Sequence, residues 1–178
     1  MKPAVWRTIG VAGCVFALDQ WTKHWATETL ADRAPIDVID TLVRLTYARN
    51  SGVAFGLGAG TRFPFYIFSI AAVVGIAWLI ARDRVRRPLH QVALALILGG
   101  ALGNLVDRIT TGLVVDFILL SWRQWDFPVF NVADSAVTIG VALFALTWTG
   151  HHEAPAAAPA GTAPAGAPPT EPPVSLER

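Results

Sequence analysis

Pro88-Leu89-His90-Gln91-Val92-Ala93-Leu94-Ala95-Leu96-Ile97-Leu98-Gly99-Gly100-Ala101-Leu102-Gly103-Asn104-Leu105-Val106 is a run of nineteen residues whose only titratable group is His90. A helix needs about 20 residues to cross roughly 30 Å of hydrocarbon, so this run is of spanning length. Three further stretches share its character. Phe63 to Ala81 carries no charge, and Val132 to Trp148 carries only Asp134. Ala4 to Trp25 qualifies if Arg7 lies near one membrane face and Asp19 and Lys23 near the other. Four spans put both termini on the same side. Of 178 residues, 53% are hydrophobic and seven are Trp; the mean hydropathy is +0.47. That composition is too apolar for an ordinary soluble domain. The expected fold class is an all-α polytopic membrane protein, four transmembrane helices with a small extracytoplasmic β element.

Charge orients the spans. Arg82-Asp83-Arg84-Val85-Arg86-Arg87, between spans two and three, holds four arginines in six residues, and Lys2 and Arg7 flank span one. The positive-inside rule places this loop and both termini in the cytoplasm. The opposite loop also carries Arg33, Arg44, Arg49 and Arg62, but more sparsely and among Glu28, Asp32, Asp37 and Asp40.

Between spans one and two, Val43, Leu45 and Tyr47 alternate with Leu42, Arg44 and Thr46, and period two predicts a strand resting on an apolar surface. Gly52, Gly56, Gly58 and Gly60 then interrupt it. The segment from about 27 to 62 reads as a β cradle lying on the membrane. Trp122 and Trp125, in the loop from Ile109 to Pro128, suit the headgroup belt. After Gly150 the composition turns to Ala, Pro and Gly, with seven of the twelve prolines between Pro155 and Pro173. Such a tract buries too little apolar surface to offset its ordering entropy, so residues 151–178 are expected to be a disordered cytoplasmic tail following a domain of residues 1–150.

A net charge of +1, with no basic patch interleaved with aromatics, gives no reason to invoke nucleic acid. Cys14 is the single cysteine, which excludes an intrachain disulfide. Val11-Ala12-Gly13-Cys14 looks like a lipoprotein cleavage box, but only six residues separate Arg7 from Cys14, short of the ~7 to 15 of a signal-peptide core. A retained first span is the preferred reading. His24, His90, His151 and His152 show no ligand spacing with carboxylates or Cys14, so no metal or nucleotide site is expected.

Two aspartates lie beside apolar stretches, in Val114-Val115-Asp116-Phe117 and Phe130-Asn131-Val132-Ala133-Asp134. A carboxylate at mid-membrane costs about 2.5–3.5 kcal/mol on insertion scales, so its presence is a functional signal. Two held close together cannot both ionise cheaply, and a shared proton makes one base and the other acid. In peptide hydrolysis the base takes a proton from the attacking water while the acid hydrogen-bonds the scissile carbonyl and later helps protonate the leaving amine. Capping accounts for Asp134 equally well: Asn131 as N-cap and Asp134 at N3 form a capping box. The readings are compatible, and the helix dipole leads us to expect Asp134 to deprotonate more readily than Asp116. For Asp116 the alternative is a loop or strand end paired with Arg108 or Arg123.

Other polar residues punctuate the spans. Gly99 and Gly103 form a GxxxG face that admits another helix closely. Asn104 and Arg108 share a face with Asp107 beside them; they either cap and salt-bridge a helix end or orient the carboxylates or substrate. Asp19 and Lys23, with Gln20 adjacent, are an i, i+4 pair that either softens insertion or faces substrate. Asn50-Ser51-Gly52-Val53-Ala54-Phe55 is either a turn or a segment over the site, with Asn50 bonding substrate backbone.

Together these blocks resemble the lipoprotein signal peptidase (signal peptidase II) family of bacterial aspartyl membrane enzymes. The matching stretches are Asp19-Gln20 with Lys23, Asn50 to Phe55, Gly99 to Arg108, Gly112 to Phe117 and Phe130 to Asp134. Five blocks in family order, covering about residues 5 to 150, are specific where any one alone is weak. The resemblance implies four transmembrane helices with an extracytoplasmic β cradle in the bacterial inner membrane. The implied activity is an endopeptidase that cuts prolipoproteins just before a cysteine carrying diacylglycerol. It implies Asp116 and Asp134 as catalytic. It implies Asp19, Lys23, Asn50, Gly52, Asn104, Arg108 and Asn131 as site-shaping or substrate-binding. It implies no metal or organic cofactor, membrane lipid as surroundings, and inhibition by the cyclic peptide globomycin. Charge and motif placement agree that both aspartates lie near the extracytoplasmic face.

Rival readings are weaker. A transporter also keeps intramembrane aspartates, but here the ionisable groups cluster at one face and no broken helices recur in matching halves. A serine/lysine peptidase would use Lys23 with Ser51 or Ser135. The presenilin type lacks its Gly-x-Gly-Asp signature, since Leu113 to Val115 precede Asp116. A non-catalytic scaffold would tolerate asparagine at both aspartates.

Overall fold

The computed structural model describes residues 3–51, 66–82, 85 and 87–148. Gly52 and the rest of the glycine-punctuated segment, and the tail 151–178, lie outside the described residues. Four helices and four strands follow in the order α1 (Pro3–Leu30), β1 (Ile36–Ile39), β2 (Val43–Asn50), α2 (Tyr66–Ala81), α3 (Pro88–Thr110), β3 (Val114–Trp122), β4 (Trp125–Asp126) and α4 (Val132–Trp148). The protein is thus mostly helical with one small antiparallel sheet, of strand order β1-β2-β3-β4.

Helix α3 packs between α1 and α4, and glycine sets the approach. A Cβ on Gly99 would meet the Ala12 carbonyl and Val15 on α1, one on Gly103 would meet the Asp19 carboxylate, and one on Gly100 would meet the Ala133 carbonyl on α4. The GxxxG face of the sequence is therefore where α1 docks. On α1 the buried positions are Thr8, Ala12, Asp19, Lys23, Ala26 and Leu30, a single stripe of helical spacing that is largely small or polar. Its other faces expose Trp6, Ile9, Leu18 and Trp21, as α2 exposes Val74 and Trp78 and α4 exposes Ile139, Val141 and Leu146. Apolar residues outside and polar ones inside invert the pattern of a helix in water. By length and composition, α3 is the one described helix both long and apolar enough to cross a membrane, with shorter apolar helices at Ser69–Ala81 and Val132–Thr147.

The sheet extends beyond the β segment expected from sequence. Besides β2, which contains the alternating residues, it recruits β3 from the stretch between α3 and α4. β3 was not legible as a strand because it shows no simple alternation: Val114, Asp116, Phe117 and Ser121 are all buried, so both of its faces are covered in part. Phe117 closes a small core with Ala26 and Leu30 at the end of α1, and meets Trp25 edge-on with ring centroids 6.5 Å apart. Helix α3 is released into β3 by Gly112, whose φ of +76° terminates the helix; its N–H donates to the Arg108 carbonyl at 3.1 Å.

Candidate active site

Two elements that meet at their ends bring Asp116 and Asp134 together. Asp116 stands on β3 opposite Ala48 of β2. Two residues further on, Ile118 forms an isolated bridge with Phe130, exchanging N–H···O=C bonds of 2.9 and 3.0 Å. That bridge fixes the chain just before α4 against β3. Asn131 follows at once, fully buried, and starts the helix.

Asn131 joins the two carboxylates. Its Nδ2 donates to Asp116 Oδ1 at 2.7 Å. Its Oδ1 accepts the Asp134 backbone N–H at 2.9 Å, and Asp134 Oδ2 accepts the Asn131 N–H at 3.3 Å. This is the reciprocal capping box expected from sequence, and the same asparagine holds the second aspartate. Asn104 on α3 completes the frame, donating from Nδ2 to Asp134 Oδ1 at 2.7 Å and accepting from Asn131 Nδ2 at 3.2 Å on its Oδ1. From β2, Asn50 Nδ2 donates to Asp116 Oδ2 at 3.0 Å. Asp116 is 2% exposed. Burial, reinforced by the neighbouring Asp134 charge, pushes its carboxyl up to about 6, against the hydrogen bonds from Asn50 and Asn131 and the Lys23 charge, which pull the other way.

Beneath the aspartates lies a buried charge cluster. Lys23 Nζ is 2.8 Å from Asp19 Oδ2 and 2.9 Å from Asp107 Oδ2, and it donates to Asn104 Oδ1 at 2.9 Å. Its three donors are thereby used, and the asparagine that carries Asp134 is anchored to α1. Asp19 does more than soften insertion. Its second oxygen accepts the Ala133 N–H at 2.9 Å, capping the first turn of α4 from another helix. Gln20 and Asp107 stood in the sequence reading only as neighbours of Asp19 and of Asn104 and Arg108. Gln20 Nε2 donates to Asp107 Oδ1 at 3.0 Å and to the Gly103 carbonyl at 3.3 Å, and Asp107 Oδ2 accepts the Val115 N–H at 3.4 Å, tying α1, α3 and β3 together next to Asp116. The one available signal was stoichiometric: a fully buried lysine facing an asparagine and a single i, i+4 aspartate calls for a further acceptor.

Arg108 points elsewhere. Its Nη1 reaches Ser69 Oγ on α2 at 3.3 Å and the Asn104 carbonyl at 3.4 Å; among the described residues it makes no bond to either aspartate. Neither Arg108 nor Arg123 pairs with Asp116, whose partners are the two asparagines. Beside Asp134 opens a groove of about 530 Å³ between Ser135, Thr138 and Ile139 of α4 and the Phe127–Phe130 segment, with Asn50 and Leu120 at its sheet side. Its lining is mainly apolar and includes the Asp134 carboxylate. A carboxyl that keeps its proton to about pH 6, beside a second carboxylate and an open groove, is suited to acid/base work on a bond lying in that groove.

Known proteins resemble this chain in sequence and in fold. The family model described as Signal peptidase (SPase) II matches residues 11–149. A protein named lipoprotein signal peptidase from Symbiobacterium thermophilum is 42% identical over 139 residues, 78% of this chain and 91% of its own length. One of the same name from Geobacter sulfurreducens is 46% identical over 132 residues, 72% of this chain and 82% of its own. A solved structure titled as a bacterial membrane enzyme obtained by the in meso method at 1.9 Å resolution superposes with a TM-score of 0.72 at 36% identity, covering 81% of this chain and 93% of that one.

Proposed function

This chain belongs to the signal peptidase II family, a family of membrane proteases, and from that premise we propose that it removes the signal peptide from bacterial prolipoproteins by an aspartyl mechanism, cutting before the diacylglyceryl-modified cysteine. The observation that carries the mechanism is Asn131, whose one side chain bonds Asp116 and caps the turn holding Asp134.

Asp116 carries the shared proton and Asp134 is the base. A water between them gives a proton to Asp134 as its oxygen attacks the scissile carbonyl carbon. Asp116 donates its hydrogen bond to the carbonyl oxygen, where negative charge develops. Collapse of the tetrahedral intermediate breaks the C–N bond, and the departing nitrogen takes the proton from Asp134. Asn104, Asn131 and Asn50 hold the carboxylates, and Lys23 with Asp19 and Asp107 holds Asn104. Arg108 fixes α3 to α2 through Ser69. No step calls on a metal or organic cofactor. The groove beside Asp134 receives an apolar part of the substrate, and a cyclic peptide such as globomycin would compete for the same space.

Four spans, α1 to α4, cross the bacterial inner membrane with both termini in the cytoplasm. What supports this is the outward-facing apolar residues of α1, α2 and α4, the spanning length of α3 and the arginine-rich segment between α2 and α3. The aspartates then lie near the extracytoplasmic face, where a lipid-anchored substrate presents its scissile bond and water has access. Residues 1–150 form the peptidase domain.

The deciding experiment is cleavage of a diacylglyceryl-modified prolipoprotein in membranes holding equal amounts of wild type, Asp116→Asn or Asp134→Asn. Each variant should remain folded and lose about 10²–10⁴-fold in rate. Near wild-type cleavage by both would sink the aspartyl mechanism, and loss on Ser135→Ala would favour a serine nucleophile in its place.

A further inference from the structure

We infer a second ligand site, for one anionic glycerophospholipid, in the groove between α1 and α3 at the end of these helices away from the aspartates. A groove of about 480 Å³ runs there along the helix junction. Arg7 and Pro88 stand at one end, and Gly10, Cys14, Val92 and Ala95 continue it along the two helices. Arg7 lies twelve residues before Asp19 on α1, about 18 Å along the helix, so this groove is separate from the carboxylate site.

Its chemistry is that of an acyl chain below a headgroup. Among the described residues no carboxylate lines it, and apart from Arg7, Thr8 and Gln91 its lining is apolar or small. Arg7 is exposed and makes no ion pair among the described residues, and Arg87, the exposed N-cap of α3, immediately precedes Pro88. Basic residues above an apolar cleft between membrane helices recognise a lipid phosphate while the cleft takes a chain. A Cβ on Gly10, as on Gly13 and Gly75, would meet nothing within 4 Å, so the groove is open at that position. Gly10 and Cys14, four residues apart, keep that stretch of its lining small.

A second copy of this chain is the competing occupant, since Gly10 and Cys14 have small-xxx-small spacing. Two copies share one orientation in a membrane, so a twofold dimer through this face would set Arg7 against Arg7 at the same depth. Like charges disfavour that pairing, and a phosphate in the same place is favoured. A free phosphate would gain nothing from the apolar length of the groove. The inference needs α1 and α3 to face lipid; it does not depend on the catalytic reading.

The test is native mass spectrometry of the full chain released from detergent micelles, titrated with phosphatidylglycerol or with phosphatidylcholine of identical acyl chains. Wild type should hold one phosphatidylglycerol about fivefold more tightly than phosphatidylcholine. Arg7→Gln should bring the two to equal affinity by weakening phosphatidylglycerol alone. Gly10→Leu, which fills open space, should weaken both, and thermal unfolding in lipid-free micelles checks that each variant is folded. Equal affinity of wild type for the two lipids overturns the inference. So does a folded Gly10→Leu that keeps its phosphatidylglycerol, or one whose loss is of a protein dimer with lipid binding unchanged. Should Gly10→Leu fail to fold, the Arg7→Gln comparison decides alone.

Discussion

Asp116 illustrates how much one residue's chemistry depends on its neighbours. Its carboxyl is raised from 3.8 to about 6, chiefly by burial. Between these values the folded protein holds a proton that the unfolded chain has lost, so the contribution of Asp116 to stability falls as pH rises through that window. Asp116→Asn should remove this part of the slope in unfolding measured against pH. Because the Asn50 hydrogen bond lowers the value and the Asp134 charge raises it, Asn50→Ala should move the Asp116 titration up and Asp134→Asn should move it down, followed by infrared difference spectroscopy of the carboxyl. Movement in the opposite direction by both would refute the assignment of these influences. Lys23 is the second decisive residue. Lys23→Met would leave Asp19 and Asp107 facing each other without their common cation, at a cost of about 3–5 kcal/mol, read as a lower melting temperature in micelles. The capping relation of Asn131 and Asp134 was legible in the sequence because it spans three residues of one helix start. The bond from Asn131 to Asp116 was not, since it joins a helix cap to a strand fifteen residues away.

Helices here are spaced by glycine, and the sheet is attached by a few backbone bonds. Gly103→Ala would drive a methyl into the Asp19 carboxylate on α1 and disturb the Lys23 cluster that anchors Asn104, so both stability and cleavage should fall. Gly75→Ala on α2, where a Cβ meets nothing within 4 Å, should be neutral or stabilising by about 0.5–1 kcal/mol. Parallel thermal melts of the two variants make the comparison, and equal losses would contradict this account of helix packing. The helix positions were readable from apolar runs flanked by charge, and each expected span corresponds to a helix. Period two revealed β2. It failed for β3, whose register is set by pairing with both β2 and the Phe130 segment, and whose apolar residues serve two faces at once.

For the whole molecule, the apolar exterior and the polar interior divide the work: the first suits lipid, the second holds chemistry. Residues 11–149 match the family, so a chain ending at Gly150 should process prolipoprotein at the wild-type rate in the membrane cleavage assay; a large loss would give the tail a catalytic part. The membrane character, the helical runs, the asymmetry of positive charge and the identity of the polar blocks are all legible in the amino-acid order, because each is a local property of composition and spacing. Three-dimensional packing was needed to reveal that Asn104 and Asn131 lace the aspartates together, that Lys23 is shared by two carboxylates and two helices, and that Arg108 turns to α2. Those contacts join residues up to 84 apart in the chain, and glycine-mediated helix approach and strand register, not periodicity, bring them within bonding distance.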